Sequence, residues 1–229
     1  MQLVIFDIDG TLTDTNSSDN ACFLQAFKES LGICDLNEDW TSYSYSTDSG
    51  IVREILEKHR GSVSGKDVEL LKTRFVELLV GHFTSQPIRP IRGAAEILRH
   101  LTKEPDWFFA IATGGWKESA LLKLRTAQIG IGEAPFASSD EICAREDILR
   151  AVINKAEKFH PEPFERIVYV GDATWDVATA IEMGLPFVGI ASGLRRQQLL
   201  KAGASHVLEN YLDYRSTLDA LNHARIPEL

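Results

Sequence analysis

Two carboxylates stand two positions apart near the start of the chain, in Leu3-Val4-Ile5-Phe6-Asp7-Ile8-Asp9-Gly10-Thr11. The apolar run before them is short, β-branched and aromatic, and Gly10 bounds it, which predicts a buried strand rather than a helix. Side chains at i and i+2 leave a strand on the same side, so Asp7 and Asp9 point into one small volume where the strand ends. Carboxylates that close repel, and desolvation makes the repulsion worse. The arrangement requires a cation, a shared proton or a nearby Lys or Arg, and Gly10 lets the backbone turn sharply after it. Two more polar, Gly-rich turns follow apolar runs. Thr113-Gly114-Gly115 follows residues 108–112, and Gly171-Asp172-Ala173-Thr174-Trp175-Asp176 follows residues 167–170.

The elements that must position these turns read as an α/β protein. After the first strand, residues 16–86 read as helices: 21–31 stops at Gly32, and 51–59 follows the capping cluster Ser46-Thr47-Asp48-Ser49. A third helix opens at Ser64-Gly65-Lys66-Asp67, which has the form of a capping box. Past Pro87-Ile88-Arg89-Pro90, strands at 107–113, 136–137, 167–171, 187–190 and 206–208 alternate with helices at 94–101, 116–127, 147–159, 175–183 and 194–202, before a C-terminal helix. That alternation implies a Rossmann-like parallel sheet covered on both faces, with the first strand drawn into it. Residues 1–15 and 87–229 then form the α/β core, and residues 16–86 are a helical cap inserted after the first strand. Ligands bind beyond the carboxyl ends of strands in such sheets, so all three polar turns fall on one edge.

Those three places, in this order, resemble the signatures of the haloacid dehalogenase-like hydrolases, most of them phosphatases. Asp7-x-Asp9-Gly10-Thr11 resembles the first signature, Thr113-Gly114 the second, and Gly171-Asp172-x-x-x-Asp176 the fourth. The resemblance covers the whole chain and looks most similar to the capped, phosphoglycolate phosphatase-like branch. It implies that Asp7 is the nucleophile forming an aspartyl-phosphate. Asp9 is implied as the acid and then the base, its backbone carbonyl also facing the metal. Asp172 would anchor Mg²⁺ together with Asp7, and Asp176, Gly10 and Thr11 would support. Thr113 and Gly114 would bind phosphate oxygens. One place departs from the pattern. The family's third signature is a Lys, and this region reads Ala144-Arg145-Glu146-Asp147. Arg145 is the nearest match, with a wider forked geometry, and Lys117 is the alternative cation. In the cap, Trp40-Thr41-Ser42-Tyr43-Ser44-Tyr45-Ser46-Thr47-Asp48 is the candidate substrate-reading segment, with Arg53 nearby and Trp116 and Trp175 beside the phosphate turns.

The resemblance implies a Mg²⁺-dependent phosphatase acting on a small phosphomonoester of phosphoglycolate or sugar-phosphate type. The alternatives are a β-phosphoglucomutase-like phosphotransferase or isomerase, and a non-catalytic phosphate-ligand binder. Asp9 argues against dehalogenation, since a halide needs no protonation. Lys28, Lys58, Lys66 and Lys72 lack the special context of a Schiff-base lysine. The 229 residues carry 24 basic and 33 acidic side chains, a net charge of −9, which disfavours a nucleic-acid partner. No apolar run is long enough to cross a membrane, and no secretory signal is read at the N-terminus. Three cysteines without paired spacing fit a reduced cytoplasmic location. The expected partner is a small phosphorylated metabolite, with no nucleic acid and no membrane, on a monomer or homodimer.

Overall fold

The computed structural model describes residues 1–160 and 162–228. Strands β1 Gln2–Phe6, β2 Trp107–Ala112, β3 Phe136–Ala137, β4 Arg166–Gly171, β5 Phe187–Ile190 and β6 His206–Leu208 form one sheet in the order β3-β2-β1-β4-β5-β6. Every pairing is parallel, and the protein is an α/β fold of the expected Rossmann-like kind. The first strand of the chain is therefore central. Val4 sits opposite Phe109 on one side and Val168 on the other. Its neighbours β2 and β4 are the strands that end in the two other polar turns.

Both faces of the sheet are covered, which is why its strands are almost continuously apolar. Val4 and Phe6 point to one face and join Ile97, Leu124 and Leu221, from helices α4 Ala94–Leu101, α5 Lys117–Thr126 and α9 Tyr214–His223. Leu3 and Ile5 point to the other. They join Leu149, Val177 and Leu199, from α6 Arg145–Ala156, α7 Thr174–Met183 and α8 Gly193–Lys201.

Between β1 and α4 lie α1 Asn16–Leu31, a 3-10 turn Trp40–Ser42, α2 Asp48–Arg60 and α3 Gly65–Ser85. The chain enters and leaves this segment along paired connections: Asp14 N–H donates to Arg89 O at 2.9 Å, and Ile91 N–H to Leu12 O at 2.9 Å. Thr47 caps α2, its hydroxyl accepting from Gly50 N–H at 3.1 Å, and Gly32 in the left-handed conformation ends α1. Two expectations need correction. The Ser64 side chain makes no cap bond, and the carboxylate of Asp67 that would reach back to the Ser64 N–H is held by Arg60 at 2.8 Å. Helix α1 begins at Asn16 rather than at residue 21. Its first turns are polar because they face a cavity and not the apolar core.

The three helices share a core built on Phe23, Phe27, Phe75 and Leu79, which also takes in Trp116 and Leu122 from the α5 side. Phe75 is fully buried and meets Phe23 and Trp116 edge-on, at 5.5 and 5.9 Å between ring centroids. Phe75→Ala should therefore remove about 3–5 kcal/mol of stability. A lower midpoint of urea unfolding, followed by circular dichroism, measures it; an unchanged midpoint would show that this cluster does not contribute.

Candidate active site

Asp7 directly follows β1, and its N–H continues the ladder to Val170 O at 3.0 Å. The chain then wraps around Ile8 O, which accepts from the N–H groups of Thr11, Leu12 and Thr13 at 3.2, 2.8 and 2.9 Å. This turn places Gly10 at φ +73°, where a Cβ would lie 1.9 Å from Asp172 Oδ2. Only glycine meets both demands. The close approach is what lets the β1 and β4 strand ends share one site.

Asp7, Asp172 and Asp176 each offer a carboxylate oxygen within 4.8 Å of the others, and all three residues are buried. Asp176 is already engaged. Its Oδ1 accepts from Tyr169 O–H at 2.7 Å, and its Oδ2 accepts from the N–H groups of Asp172 and Ala173 at 3.1 and 3.0 Å. It therefore holds the turn. Asp172 Oδ2 accepts from Asn16 Nδ2 at 2.8 Å and faces Arg195 at 3.3 Å. Burial, and then the charge of Asp176, pushes the Asp172 carboxyl up to about 7 and the Asp7 carboxyl well above the usual carboxylate range. Crowded, oxygen-only donors of this kind fit a hard divalent cation, which relieves the repulsion that raises them.

Arg145 faces this cluster and Lys123 answers the neighbouring Asp9, whereas Lys117 does neither. Arg145, the first residue of α6, is buried with Nη1 3.6 Å from Asp7 Oδ1 and 3.1 Å from Asp176 Oδ1. Lys117 is exposed and only its N–H is engaged, by Asp140 at 2.7 Å, so it is not brought to Asp7. Sequence reasoning missed Lys123. It is 1% exposed, and its ammonium lies 2.8 and 2.9 Å from the two oxygens of Asp9 and also pairs with Asp19 of α1. Burial alone would lower the Lys123 pKa, but Asp19 and Asp9 outweigh it and raise it. The signal was present in the spacing. Trp116, Ala120, Lys123 and Ala127 are all buried and lie on one helical stripe.

The Thr113 hydroxyl accepts from Gly115 N–H at 3.0 Å, which leaves its own proton to donate. A Cβ on Gly114 would lie 2.4 Å from Arg145 Nη2, so the guanidinium approaches the backbone closely there. A cavity of about 530 Å³ joins these groups to the helical insertion. Its walls include Asp7, Asp9, Thr113, Gly114, Arg145 and Asp172, together with Asn16, Asp19, Trp40, Asp48, Trp175 and Arg195. Of the aromatic residues singled out in the sequence, Trp40 and Trp175 line the cavity. Trp116 is buried in the helical core instead, with Nε1 donating to Ser49 at 2.9 Å. Arg53 is exposed and is not among the lining residues. Thr11 lies behind the wall, fully buried, and its carbonyl accepts from Tyr211 O–H at 3.0 Å.

A parallel sheet whose central strand ends in paired aspartates, facing a buried metal-suited cluster under a helical insertion, defines a class of hydrolytic α/β enzymes. The family model described as haloacid dehalogenase-like hydrolase matches residues 1–184, and the chain belongs to that family. A phosphoglycolate phosphatase from Mesorhizobium japonicum is 23% identical over 213 residues, 91% of each chain. The crystal structure of a hydrolase from Pseudomonas syringae superposes with a TM-score of 0.73 at 25% identity, covering 96% of this chain and 99% of the other. The phosphate complex of CbbY from Rhodobacter sphaeroides superposes at 0.68 with 19% identity, covering 92% and 95%. Among the described residues, no helix is long and apolar enough to cross a membrane.

The raised carboxyls have a consequence for stability. Asp172, Asp19 and Asp48 are pushed up to about 7, 6 and 8, against about 3.9 for an unfolded aspartate. Between those values the folded protein binds more protons than the unfolded chain, so stability falls as pH rises. In EDTA, Tm should decline from about pH 4 to about pH 8, and saturating Mg²⁺ should flatten that decline. A metal-free Tm that rises across this window would contradict the assignment.

Proposed function

We propose that the protein is a Mg²⁺-dependent phosphatase that hydrolyses a small phosphomonoester through an aspartyl-phosphate on Asp7. The observation that carries this reading is the convergence of three strand ends in one cavity. β1 brings Asp7 and Asp9, β2 brings Thr113, β4 brings Asp172, and α6 adds a buried guanidinium. Its fit to the family's chemistry, and the phosphoglycolate phosphatase relative, support it.

In this reading a carboxylate oxygen of Asp7 attacks phosphorus and the bond to the alcohol oxygen breaks. Asp9 gives its proton to that oxygen, then takes one from the water that hydrolyses the aspartyl-phosphate. Lys123 and Thr15 hold the Asp9 carboxylate, so Asp9 must first take up a proton before it acts as the acid. Thr113 O–H, the Gly114 N–H and Arg145 meet the charge on the phosphoryl oxygens. Bound Mg²⁺, held by Asp7 and Asp172, supplies positive charge between two anions that must come together. The missing third-signature Lys favours a non-catalytic binder, and the buried guanidinium of Arg145, 3.6 Å from Asp7, supports the catalytic reading instead.

Two measurements test this. Asp7→Asn should reduce phosphate release from p-nitrophenyl phosphate by about 10³-fold or more, with circular dichroism unchanged; hydrolysis at the normal rate would remove Asp7 from the nucleophile role. Arg145→Ala should raise KM for the same ester by roughly 10- to 100-fold, the worth of a charged hydrogen bond, and Lys117→Ala should leave it near the wild-type value. The reverse ranking would move the phosphate contact to Lys117.

A further inference from the structure

We propose that the cavity selects phosphomonoesters whose alcohol portion donates hydrogen bonds, through hydroxyl or ammonium groups, and carries no second negative charge. This rests on the phosphatase reading. The phosphoryl group is placed at Asp7, Thr113 and Gly114, so the rest of the ester faces the helical insertion.

The charge on the cavity wall is lopsided. Five aspartates line it, Asp7, Asp9, Asp19, Asp48 and Asp172, against two arginines, and no lysine or histidine of the described residues does. Both arginines already face carboxylates: Arg145 faces Asp7 and Asp176, and Arg195 faces Asp172. Lys123, just behind the wall, is taken by Asp9 and Asp19. The insertion contributes no cation at all among its lining residues. A carboxylate or second phosphate on the substrate would therefore find no cation on the insertion side of the cavity to pair with, an arrangement that selects against it.

What the insertion does present is a set of acceptors beside aromatic rings. Asp48 is anchored through the N–H it donates to Gly114 O at 2.8 Å and through Oδ2, which accepts from Trp116 N–H at 3.0 Å. Its second oxygen makes no hydrogen bond to the described residues. Burial, and then Asp19, pushes this carboxyl up to about 8, and an ammonium group placed beside it would bring it down into the ionised, accepting form. Asn20 Oδ1 is buried, lacks a partner, and belongs to the same wall. A ligand donor satisfies an orphan acceptor of this kind, and the lost desolvation penalty becomes specificity. Phe23 and Trp40, edge-on at 5.9 Å, supply an apolar flank that suits alkyl groups and, through its π faces, an ammonium.

Three two-carbon esters of equal length isolate the charge: phosphoethanolamine, 2-hydroxyethyl phosphate and phosphoglycolate, with p-nitrophenyl phosphate as a control. With Mg²⁺ present, kcat/KM for the amine and the alcohol should exceed that for phosphoglycolate by roughly tenfold or more. Asp48→Asn keeps the acceptor for Trp116 N–H, and should shrink the amine-to-carboxylate ratio by about tenfold. Phosphoglycolate turning over as fast as the others, or faster, overturns the inference and leaves the phosphatase intact. If p-nitrophenyl phosphate is hydrolysed and none of the three is, their inhibition constants must rank in the same order, or the inference fails. No hydrolysis of any ester, the control included, overturns the phosphatase reading and this inference with it.

Discussion

Everything in this molecule is arranged around a repulsion. A parallel sheet brings strand ends to a common edge, and in this chain those ends carry aspartates. Asp7, Asp172 and Asp176 are buried with oxygens inside 4.8 Å of one another. Such a cluster costs several kcal/mol per ion unless charge and hydrogen bonds answer it. The answering groups come from wherever the fold can supply them. Arg145 comes from the start of α6 and the Asp172 and Ala173 N–H groups from the turn itself, while Lys123, from the middle of α5, answers the adjoining Asp9. Gly10 and Gly114 are bare because a carboxylate and a guanidinium occupy the space a Cβ would need. The same excess of negative charge leaves room for one more cation among oxygen donors, which is the property the proposed chemistry uses.

The helical insertion is tied into this electrostatic scheme. Residues Ser46 to Ser49 lie on the polar turns of the α/β core. Arg145 donates to Ser46 O at 2.9 Å, the Thr47 hydroxyl donates to Cys143 O at 2.6 Å, and Asp48 bonds both Gly114 and Trp116. Asp19 shares Lys123 with Asp9. The groups proposed to meet the phosphate and those proposed to meet the rest of the substrate thus belong to one connected network. Arg145 takes part at both ends, facing Asp7 and holding Ser46. A substitution in the insertion at Asp48 is therefore felt at the Gly114 turn, and one at Asp19 reaches Asp9 through Lys123.

The sheet was legible because its strands are short, largely apolar runs, with β1, β2 and β4 ended by polar, glycine-containing turns, and burial on both faces demands such runs. Helix bounds agreed where an apolar stripe decided them and failed where polarity had another cause. The apolar spacing that marks the first helix starts only at residue 21, yet Asn16 to Asn20 are the first turns of α1, polar because Asn16 bonds Asp172 and Asp19 bonds Lys123. Ser64 has the spacing of a capping box, and Arg60 takes the partner that the box requires. In both cases a tertiary contact overrode a local rule.

The division between what the chain states locally and what it does not follows from the range of the forces. Order along the sequence determined that Asp7 and Asp9 end a buried strand, that Thr113 and Asp172 end its neighbours, and that a helical segment intervenes, because backbone periodicity and turn chemistry act over a few residues. Tertiary structure decided which cation answers which carboxylate. Asp9 and Lys123 are 114 positions apart, and Asn16 and Asp172 are 156 apart. Their pairing depends on distances of about 3 Å that exist only after packing, and on a low dielectric that burial alone creates. The sequence names the charged residues, and the fold determines which of them meet.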